Sequence, residues 1–268
     1  NSASAPGNAK EFTTYDGKLY YAADSLDHGR AIYTTSASNP SGATYFDSRA
    51  AAGKMGDPRK IFGFAGSIYY WDNPSNGWGN YNLYGKSTTG TGHFEVEAPS
   101  MGNLVVNSDN IYNFAVSGNK MYFFAADSAT PTDYKLWSID DSGNLTMVND
   151  IDFTPGTPFT SSIQAYGYTQ NVMEIMDGKI YVNSANSSWN TADAATKVYE
   201  IATDAWSNLQ YNSSDLQGTS LMGKFRYNSQ DVIIYGKRVN WNYTYYYVAA
   251  DGVVHQLGNI STGYSGAF

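Results

Sequence analysis

The stretch Asp16-Gly17-Lys18-Leu19-Tyr20-Tyr21 is a glycine turn followed by an apolar–Tyr–aromatic run, and this phrase recurs along the chain. The other copies are Gly66-Ser67-Ile68-Tyr69-Tyr70, Gly118-Asn119-Lys120-Met121-Tyr122-Phe123, Asp177-Gly178-Lys179-Ile180-Tyr181-Val182 and the degenerate Ser229-Gln230-Asp231-Val232-Ile233-Ile234. From the residue after each turn (18, 67, 120, 179 and 231), the steps are 49, 53, 59 and 52 residues. Self-similarity at this period indicates repeated β units such as propeller blades.

Each repeat divides into four strands, here named a to d, with turn residues between them. In the third repeat the four strands are predicted at residues 110–116, 120–126, 133–139 and 145–149. The sequence therefore predicts an all-β fold, a five-bladed β-propeller of four-stranded antiparallel blades. The predicted blades cover residues 11–50, 60–99, 108–150, 170–211 and 222–258.

The way in which such a ring would close is left open by the sequence. The first repeat begins with strand a and the last ends with strand d, whereas propellers commonly mix strands from both termini in one blade. Either the tail, residues 258–268, or packing alone would close the ring. An open or stacked β-repeat is the alternative fold.

Composition narrows the classes of partner. The 268-residue chain carries 16 Lys and Arg against 24 Asp and Glu, a net charge of −8, which disfavours a nucleic-acid partner because phosphate binding needs a basic surface. No apolar run has the length of a membrane span. Cysteine is absent, which excludes a disulfide-rich scaffold. Residues 1–10, rich in small side chains, are predicted to be a flexible leader, and residues 11–268 a single propeller domain.

The repeat phrase resembles the D-G-K-(Leu/Ile)-Tyr-(Tyr/Phe) repeats of bacterial exported β-propeller proteins. The resemblance is carried by residues 16–21 with 31–35, and by residues 119–123 with 135–139. It implies an extracellular or cell-surface location and the propeller fold. Proteins with this repeat have many roles, so it implies no particular activity.

The loops between strands b and c are longer and chemically richer than the other turns. In a four-stranded blade these loops emerge on one face, together with the d-to-a crossovers, and four of the six Trp residues lie in or beside them. Trp beside Asn or Asp suits sugar recognition, because an apolar ring face stacks on pyranose C–H groups while polar side chains bind hydroxyls. The alternative is that these Trp residues cap the blade ends. The candidate ligand-binding residues are Trp71, Asp72, Trp78, Trp189, Asn190, Trp241 and Asn242; Trp137 and Trp206 are assigned to the core.

Catalytic and metal sites find less support. Glycosidases with five-bladed propellers carry carboxylates on their innermost strands, and hydrolysis needs a pair of them. Of Asp16, Asp109 and Glu174, only Glu174 is placed within a strand a. The three histidines, His28, His93 and His255, lie in different repeats without metal-ligand spacing. No cofactor and no catalytic residue is predicted, and a bound calcium ion is not placed.

These observations favour a non-catalytic, exported β-propeller that binds a glycan or another cell-surface component, such as a surface protein, through its b–c loop face. Carbohydrate-binding, adhesion and protein–protein interaction are the roles that this predicts. One alternative is a structural protein that self-associates or scaffolds a partner. The other is a glycoside hydrolase.

Overall fold

A computed structural model describes residues 7–47, 56–73, 80–98, 102–107, 114–131, 134–153, 173–182, 196–217, 219–239 and 242–261. Regular structure in these ranges consists of β-strands. The same ranges hold no helix with the length and apolarity needed to cross a bilayer. The prediction of an all-β fold made of four-stranded antiparallel sheets is confirmed.

The described structure divides into two compact units, and the single domain stays a prediction. Unit 1 comprises residues 1–114 and 119–147, and unit 2 comprises residues 115–118 and 148–268. Subdivision of this kind is natural in a repeat protein, because each repeat packs mainly on its sequence neighbours and no core is shared by all of them.

Unit 1 opens with a four-stranded antiparallel sheet in the order β1-β2-β3-β4. The strands are β1 (Gly7–Tyr15), β2 (Lys18–Ser25), β3 (Gly29–Ser36) and β4 (Asn39–Asp47). Residues 7–10, assigned to a leader by composition, belong to β1, and Lys10 lies opposite Ala22 of β2.

The second repeat is a meander of β5 (Arg59–Phe64), β6 (Ser67–Asp72), β7 (Asn80–Ser87) and the short β8 (His93–Glu95). After β9 (Glu97–Ala98), β10 (Gly102–Asn107) pairs with β7 on one side and with β12 of the third repeat on the other. The sheets of these two repeats are therefore joined through a shared strand, which sequence patterning did not predict.

The third repeat contributes β11 (Ala115–Ser117), β12 (Lys120–Asp127), β13 (Tyr134–Asp140) and β14 (Leu145–Phe153). β12, β13 and β14 follow the predicted b, c and d strands to within a few residues. For strand a the structure describes β11 and Phe114, and the rest of that prediction, residues 110–113, lies outside the described residues.

Unit 2 holds two further four-stranded antiparallel sheets. One consists of β15 (Met173–Met176), β16 (Lys179–Val182), β17 (Lys197–Glu200) and β18 (Ala205–Asn208). The short hairpin β19 (Gln210–Tyr211) and β20 (Ser214–Asp215) follows. The other sheet consists of β21 (Thr219–Tyr227), β22 (Gln230–Val239), β23 (Asn242–Val248) and β24 (Val254–Ser261).

Two-residue turns with positive φ join strands a and b. Asp16 and Gly17 have φ of 48° and 70°, and Asp177 and Gly178 have 49° and 72°. Turns with two positive φ values match the twist of antiparallel strands, and Asp and Gly tolerate them best. The last repeat makes the same turn without glycine, at Asn228 and Ser229, with φ of 48° and 65°.

That turn corrects the alignment of the last repeat by one residue. β22 begins at Gln230, opposite Tyr227, and not at Asp231 as the sequence phrase suggested. Because side chains alternate along a strand, a shift of one residue exchanges the two faces of the sheet. The five repeats are thus present as strand meanders among the described residues, while closure into a five-bladed ring stays a prediction.

Candidate functional site

Trp71, the first candidate for stacking on a sugar, is a core residue. Its side chain is fully buried, and its ring lies parallel to that of Phe114, with centroids 5.9 Å apart and planes at 6°. Phe123 packs edge-on at 6.1 Å. The assignment of Trp71 to a ligand-binding loop is wrong, because β6 continues through Asp72 and the indole is buried against Phe114 and Phe123.

Asp72 is buried as well, with 1% of its surface exposed. Its Oδ1 accepts a 2.7 Å hydrogen bond from the backbone N–H of Asp57. A Cβ added to Gly56 would lie 2.9 Å from Oδ2, so the chain passes close against this carboxylate. Asp72 therefore holds the segment that leads into β5, and it does not reach a ligand directly.

Trp78, Trp189, Asn190 and Trp241 lie outside the described residues, and Asn242 is the first residue of β23, where it pairs with Val239. Their role stays a prediction. Trp137 is in the core as expected, 3% exposed, with its Nε1–H donating to the carbonyl of Ala125 at 3.1 Å. Trp206 is half-buried against Tyr199, with ring centroids 5.0 Å apart.

Ion pairs and hydrogen bonds meet around Asp57 at the b–c end of the first two repeats. Arg59 donates from Nε to Oδ2 of Asp57 at 2.9 Å, and its Nη2 lies 2.7 Å from the same oxygen. Tyr81 donates its hydroxyl to that oxygen at 2.8 Å. Arg30 lies between two carboxylates, with Nε 3.2 Å from Oδ1 of Asp57 and Nη1 3.1 Å from Oδ1 of Asp24. We call the set Asp24, Arg30, Asp57, Arg59, Asp72 and Tyr81 the Asp57 cluster.

The local fold explains why these side chains meet. Asp24 is the next-to-last residue of β2 and Arg30 the second residue of β3, and the two lie directly opposite each other in the register. Arg59 begins β5, and Tyr81 lies at the start of β7. All of these positions are strand ends on the side from which b–c loops and d-to-a crossovers emerge.

The cluster shifts the pKa values of its members. Burial by itself would raise the pKa of Asp57, but hydrogen bonds from Arg59 and Tyr81 outweigh burial and lower it. Burial, then the hydrogen bond to Asp57 and its charge, raise the pKa of Tyr81. Burial and the positive charges of Arg59 and Arg30 lower the pKa of Lys10 on the adjoining β1. At neutral pH, Asp57 is consequently an ionised acceptor and Tyr81 a neutral donor.

The cluster has a buried base and a partly exposed rim. The Arg30 side chain is 10% exposed, and its buried Nη2 has no hydrogen-bond acceptor among the residues that the structure describes. The side chains of Asp24 and Asp57 are each 28% exposed, and that of Arg59 is 36% exposed. Solvent, or a ligand, can therefore reach two carboxylates and one guanidinium whose positions are set by residues below them.

A second feature of the same end is a stacked pair of rings. His28, in the first b–c loop, lies on Tyr45 of β4 with centroids 4.1 Å apart and planes at 28°. The backbone N–H of His28 donates to Oγ of Ser25 at 3.1 Å. His28 is exposed and Tyr45 is 39% exposed, so the pair forms a flat surface open to solvent.

Unit 2 carries a different feature at its a–b turns. An open cleft of about 470 Å³ lies among the turns of the third, fourth and fifth repeats. Charged residues on its walls include Asp177, Lys224, Arg226 and Asp231. Lys224 donates to the carbonyl of Ile175 at 3.2 Å, and Arg226 lies 3.5 Å from Asp231, so these charges are already engaged. Within the described ranges no three His, Asp or Glu side chains are arranged to hold a metal ion.

Of this cluster, sequence reasoning selected only Asp72. It missed the other members, which are Asp24, Arg30, Asp57, Arg59 and Tyr81. The cluster draws on five strands of two repeats, and such convergence has no local sequence signal. The one available clue was the Asp57-Pro58-Arg59 segment directly before a strand a, in a chain with only 15% charged residues.

No protein-family model matches the sequence, and no characterised protein sequence matches it. Among solved structures, the fold is similar to dipeptidyl peptidase 4 from Porphyromonas gingivalis, with a TM-score of 0.57 and 10% identity, covering 97% of this chain and 40% of that one. It is also similar to a quinonprotein alcohol dehydrogenase-like protein from Bacteroides thetaiotaomicron (TM-score 0.48, 12% identity, 97% of this chain and 68% of that one). A third is an exo-beta-1,3-galactanase from Phanerochaete chrysosporium (TM-score 0.42, 12% identity, 94% and 62%).

The chain thus spans 40%, 68% and 62% of the length of these three solved structures. A TM-score of 0.57 at 10% identity establishes a likeness of fold alone. The chemistry of this chain has to be argued from its own residues.

Proposed function

We propose that this chain is a non-catalytic protein of the cell surface or extracellular space that binds a glycan, or another surface component, through the b–c end of its sheets. The observation that carries the proposal is the Asp57 cluster. It presents Asp24, Asp57 and Arg59 at one partly exposed rim, on a base formed by Arg30 and Tyr81.

A polyhydroxylated ligand matches this rim. Each sugar hydroxyl both donates and accepts, so it can donate to an ionised carboxylate and accept from a guanidinium. The ion pairs hold the rim in place before a ligand arrives, which reduces the entropy lost on binding. The net charge of −8 also favours a ligand that is not a polyanion.

The His28–Tyr45 pair supplies the apolar counterpart that pyranose rings require. Sugars bury their C–H faces on flat rings while their hydroxyls remain hydrogen-bonded. His28 is two residues from Arg30 along the chain, so one b–c loop connects both kinds of contact.

Hydrolysis is the competing chemistry. A glycosidase needs one carboxyl that keeps its proton near neutral pH to act as the general acid. Hydrogen bonds from Arg59 and Tyr81 lower the pKa of Asp57 and so work against that role. Glu174, the residue named from the sequence, lies in β15 opposite Tyr181, and Glu174→Gln is the variant that tests it.

The test begins with a glycan array probed with the full chain, followed by calorimetric titration of the oligosaccharides that bind. Arg59→Gln should weaken binding about 10- to 100-fold, as expected for loss of a charged hydrogen bond. The matched control is Arg226→Gln, since Arg226 is 72% exposed and lies in unit 2. Absence of any bound glycan, or equal affinity for wild type and Arg59→Gln, would overturn the proposal.

Two further measurements separate the alternatives. Trp189→Ala and Trp241→Ala test the loop residues whose role stays a prediction. Release of reducing sugar from a polysaccharide panel, lost in Glu174→Gln, would replace binding with hydrolysis as the function.

A further inference from the structure

Strand a of the first two repeats is an edge strand that contains a β-bulge. β1 and β5 each stand at the end of the strand order of their sheet. The pairing register shifts between Lys10 and Thr13 in β1, and between Arg59 and Phe62 in β5. A bulge inserts one extra residue and changes the direction of its side chain, and bulges are frequent beside binding sites.

The two bulges contain Glu11 and Lys60, whose backbone is in a conformation that residues with a Cβ rarely adopt. The φ angle is 59° at Glu11 and 50° at Lys60. The corresponding position in the fifth repeat is Gly223, which borders the register shift there. Glycine adopts positive φ without a steric cost, so it is the low-energy choice at such a position. The presence of Glu and Lys in the first two repeats indicates that their side chains have a role there.

The role of Glu11 is visible in its contact with the second repeat. Its Oε2 accepts a 2.9 Å hydrogen bond from the backbone N–H of Lys60, which links β1 to the edge strand β5. The side chain of Lys60 has no comparable contact. Lys60 is half-buried, and among the residues that the structure describes no carboxylate oxygen lies within 4.0 Å of its Nζ. A half-buried ammonium without a paired carboxylate is unusual, because burial of a charge is costly.

The charges around Glu11 favour a bound anion. Burial is the largest cause that lowers the pKa of Lys60, and the charge of Arg59 lowers it further, while the charge of Glu11 opposes both. The pKa of Lys10 is also lowered, by burial and then by the charges of Arg59 and Arg30. The two lysines therefore lack a counter-charge that offsets their burial and the repulsion from the guanidinium groups. A negatively charged group of a ligand would supply that counter-charge.

We infer that the ligand of this chain is an acidic glycan, and that Lys60 and Arg59 bind the carboxylate of its acidic sugar. The inference rests on the proposed function and names the chemical class of the sugar. Arg59 is shared with the Asp57 cluster, so a carboxylate bound here lies beside the rim that binds hydroxyls. Ammonium and guanidinium groups form charge-assisted hydrogen bonds with carboxylates. A single carboxylate is also compatible with the net charge of −8, which disfavours a polyanion.

Matched pairs of oligosaccharides test the inference. One member of each pair ends in glucuronic, galacturonic or sialic acid, and in the other member that carboxyl is reduced to an alcohol. In calorimetric titrations the full wild-type chain should bind the acidic member about 10- to 100-fold more tightly, as expected for a charged hydrogen bond. Added salt should reduce this preference.

Lys60→Met removes the ammonium and retains an apolar stem. This variant should lose about 10-fold in affinity for the acidic member and none for the neutral member. The control is Lys18→Met, which removes the same charge from an exposed position at the start of β2 and should keep the wild-type preference.

A second pair of variants tests the strained backbone without any ligand. Lys60→Gly should unfold at a higher temperature than Lys60→Ala, because glycine adopts a φ of 50° without a steric cost and alanine does not. Equal or reversed unfolding temperatures would overturn the strain argument and the role assigned to Lys60.

The binding results separate this inference from the proposed function. If wild type binds acidic and neutral members equally, or if Lys60→Met keeps the preference, the inference fails and the proposed function stands. If no glycan of either kind binds, both fail.

Discussion

The indole of Trp71 lies flat against the ring of Phe114, with a centroid distance of 5.9 Å and an interplanar angle of 6°. This stack joins the end of β6 to the residue that precedes β11, and Phe123 closes it from the edge at 6.1 Å. A Trp that by sequence looks like a loop residue thus belongs to the packing within unit 1.

Trp71→Ala should destabilise unit 1 by about 3–5 kcal/mol, the usual cost of removing a buried large aromatic side chain. Trp71→Phe should cost less, since it retains a ring against Phe114. Urea unfolding followed by far-UV circular dichroism measures both. Wild-type stability in Trp71→Ala would contradict the burial of this residue.

Ile233→Ala and Ile234→Ala form a pair that tests the corrected register of β22. Ile233 is fully buried against the fourth repeat, so its truncation should cost about 2–5 kcal/mol. Ile234 is partly exposed and points to the opposite face, so its truncation should lower the free energy of unfolding clearly less. Thermal unfolding of both variants decides the register, and the reverse order would restore the alignment that begins at Asp231.

Gly63→Ala should be strongly destabilising, because a Cβ at this position would overlap the ring of Tyr15. That ring is held in place, since Tyr15 Oη accepts a 2.7 Å hydrogen bond from the N–H of Gly66. Gly92→Ala is the control: its Cβ would meet nothing within 4 Å, and its unfolding temperature should stay within a degree or two of wild type. Equal unfolding temperatures for both variants would contradict the close approach of β5 to Tyr15.

Asp57 should contribute to the acid sensitivity of the protein. Its pKa in the folded state lies below the ordinary 3.8, so the unfolded chain takes up the proton first as pH falls. The stabilisation is present above about pH 4 and is lost as pH falls further, through the lowered pKa of the folded state.

Asp57→Asn should therefore lower stability at pH 7 by about 1–3 kcal/mol and flatten the decline of stability between about pH 5 and pH 3. Asp231→Asn, which alters an exposed carboxylate beside Arg226, is the control and should leave that decline unchanged. Unfolding midpoints in urea across this pH range provide the comparison. If stability falls with pH as steeply in Asp57→Asn as in wild type, Asp57 does not contribute to the acid sensitivity.

The sequence was sufficient to locate most of the described strands, because the determinants of a hairpin are local. Asp16-Gly17 and Asp177-Gly178 provide the two positive φ values of the turn, and the run that follows alternates between two buried faces. The turn at Asn228 and Ser229 contains no glycine, so the sequence alignment placed the start of β22 one residue too late. That error assigned the residues of β22 to the wrong faces of the sheet.

Only the tertiary structure could decide which residues meet. Asp24, Arg30, Asp57, Arg59 and Tyr81 are separated by up to 57 residues in the chain, and the pairing of β2 with β3 and of β5 with β6 and β7 brings them together. Trp71 was misassigned for the same reason, since its burial depends on Phe114 and Phe123 of another repeat. The sequence by itself thus determined the repeat, its turns and the alternation of its strands, which are set within a few residues. The Asp57 cluster and the packing partners of each sheet face depend on contacts between segments that are distant in the sequence. Only the tertiary structure determines those contacts.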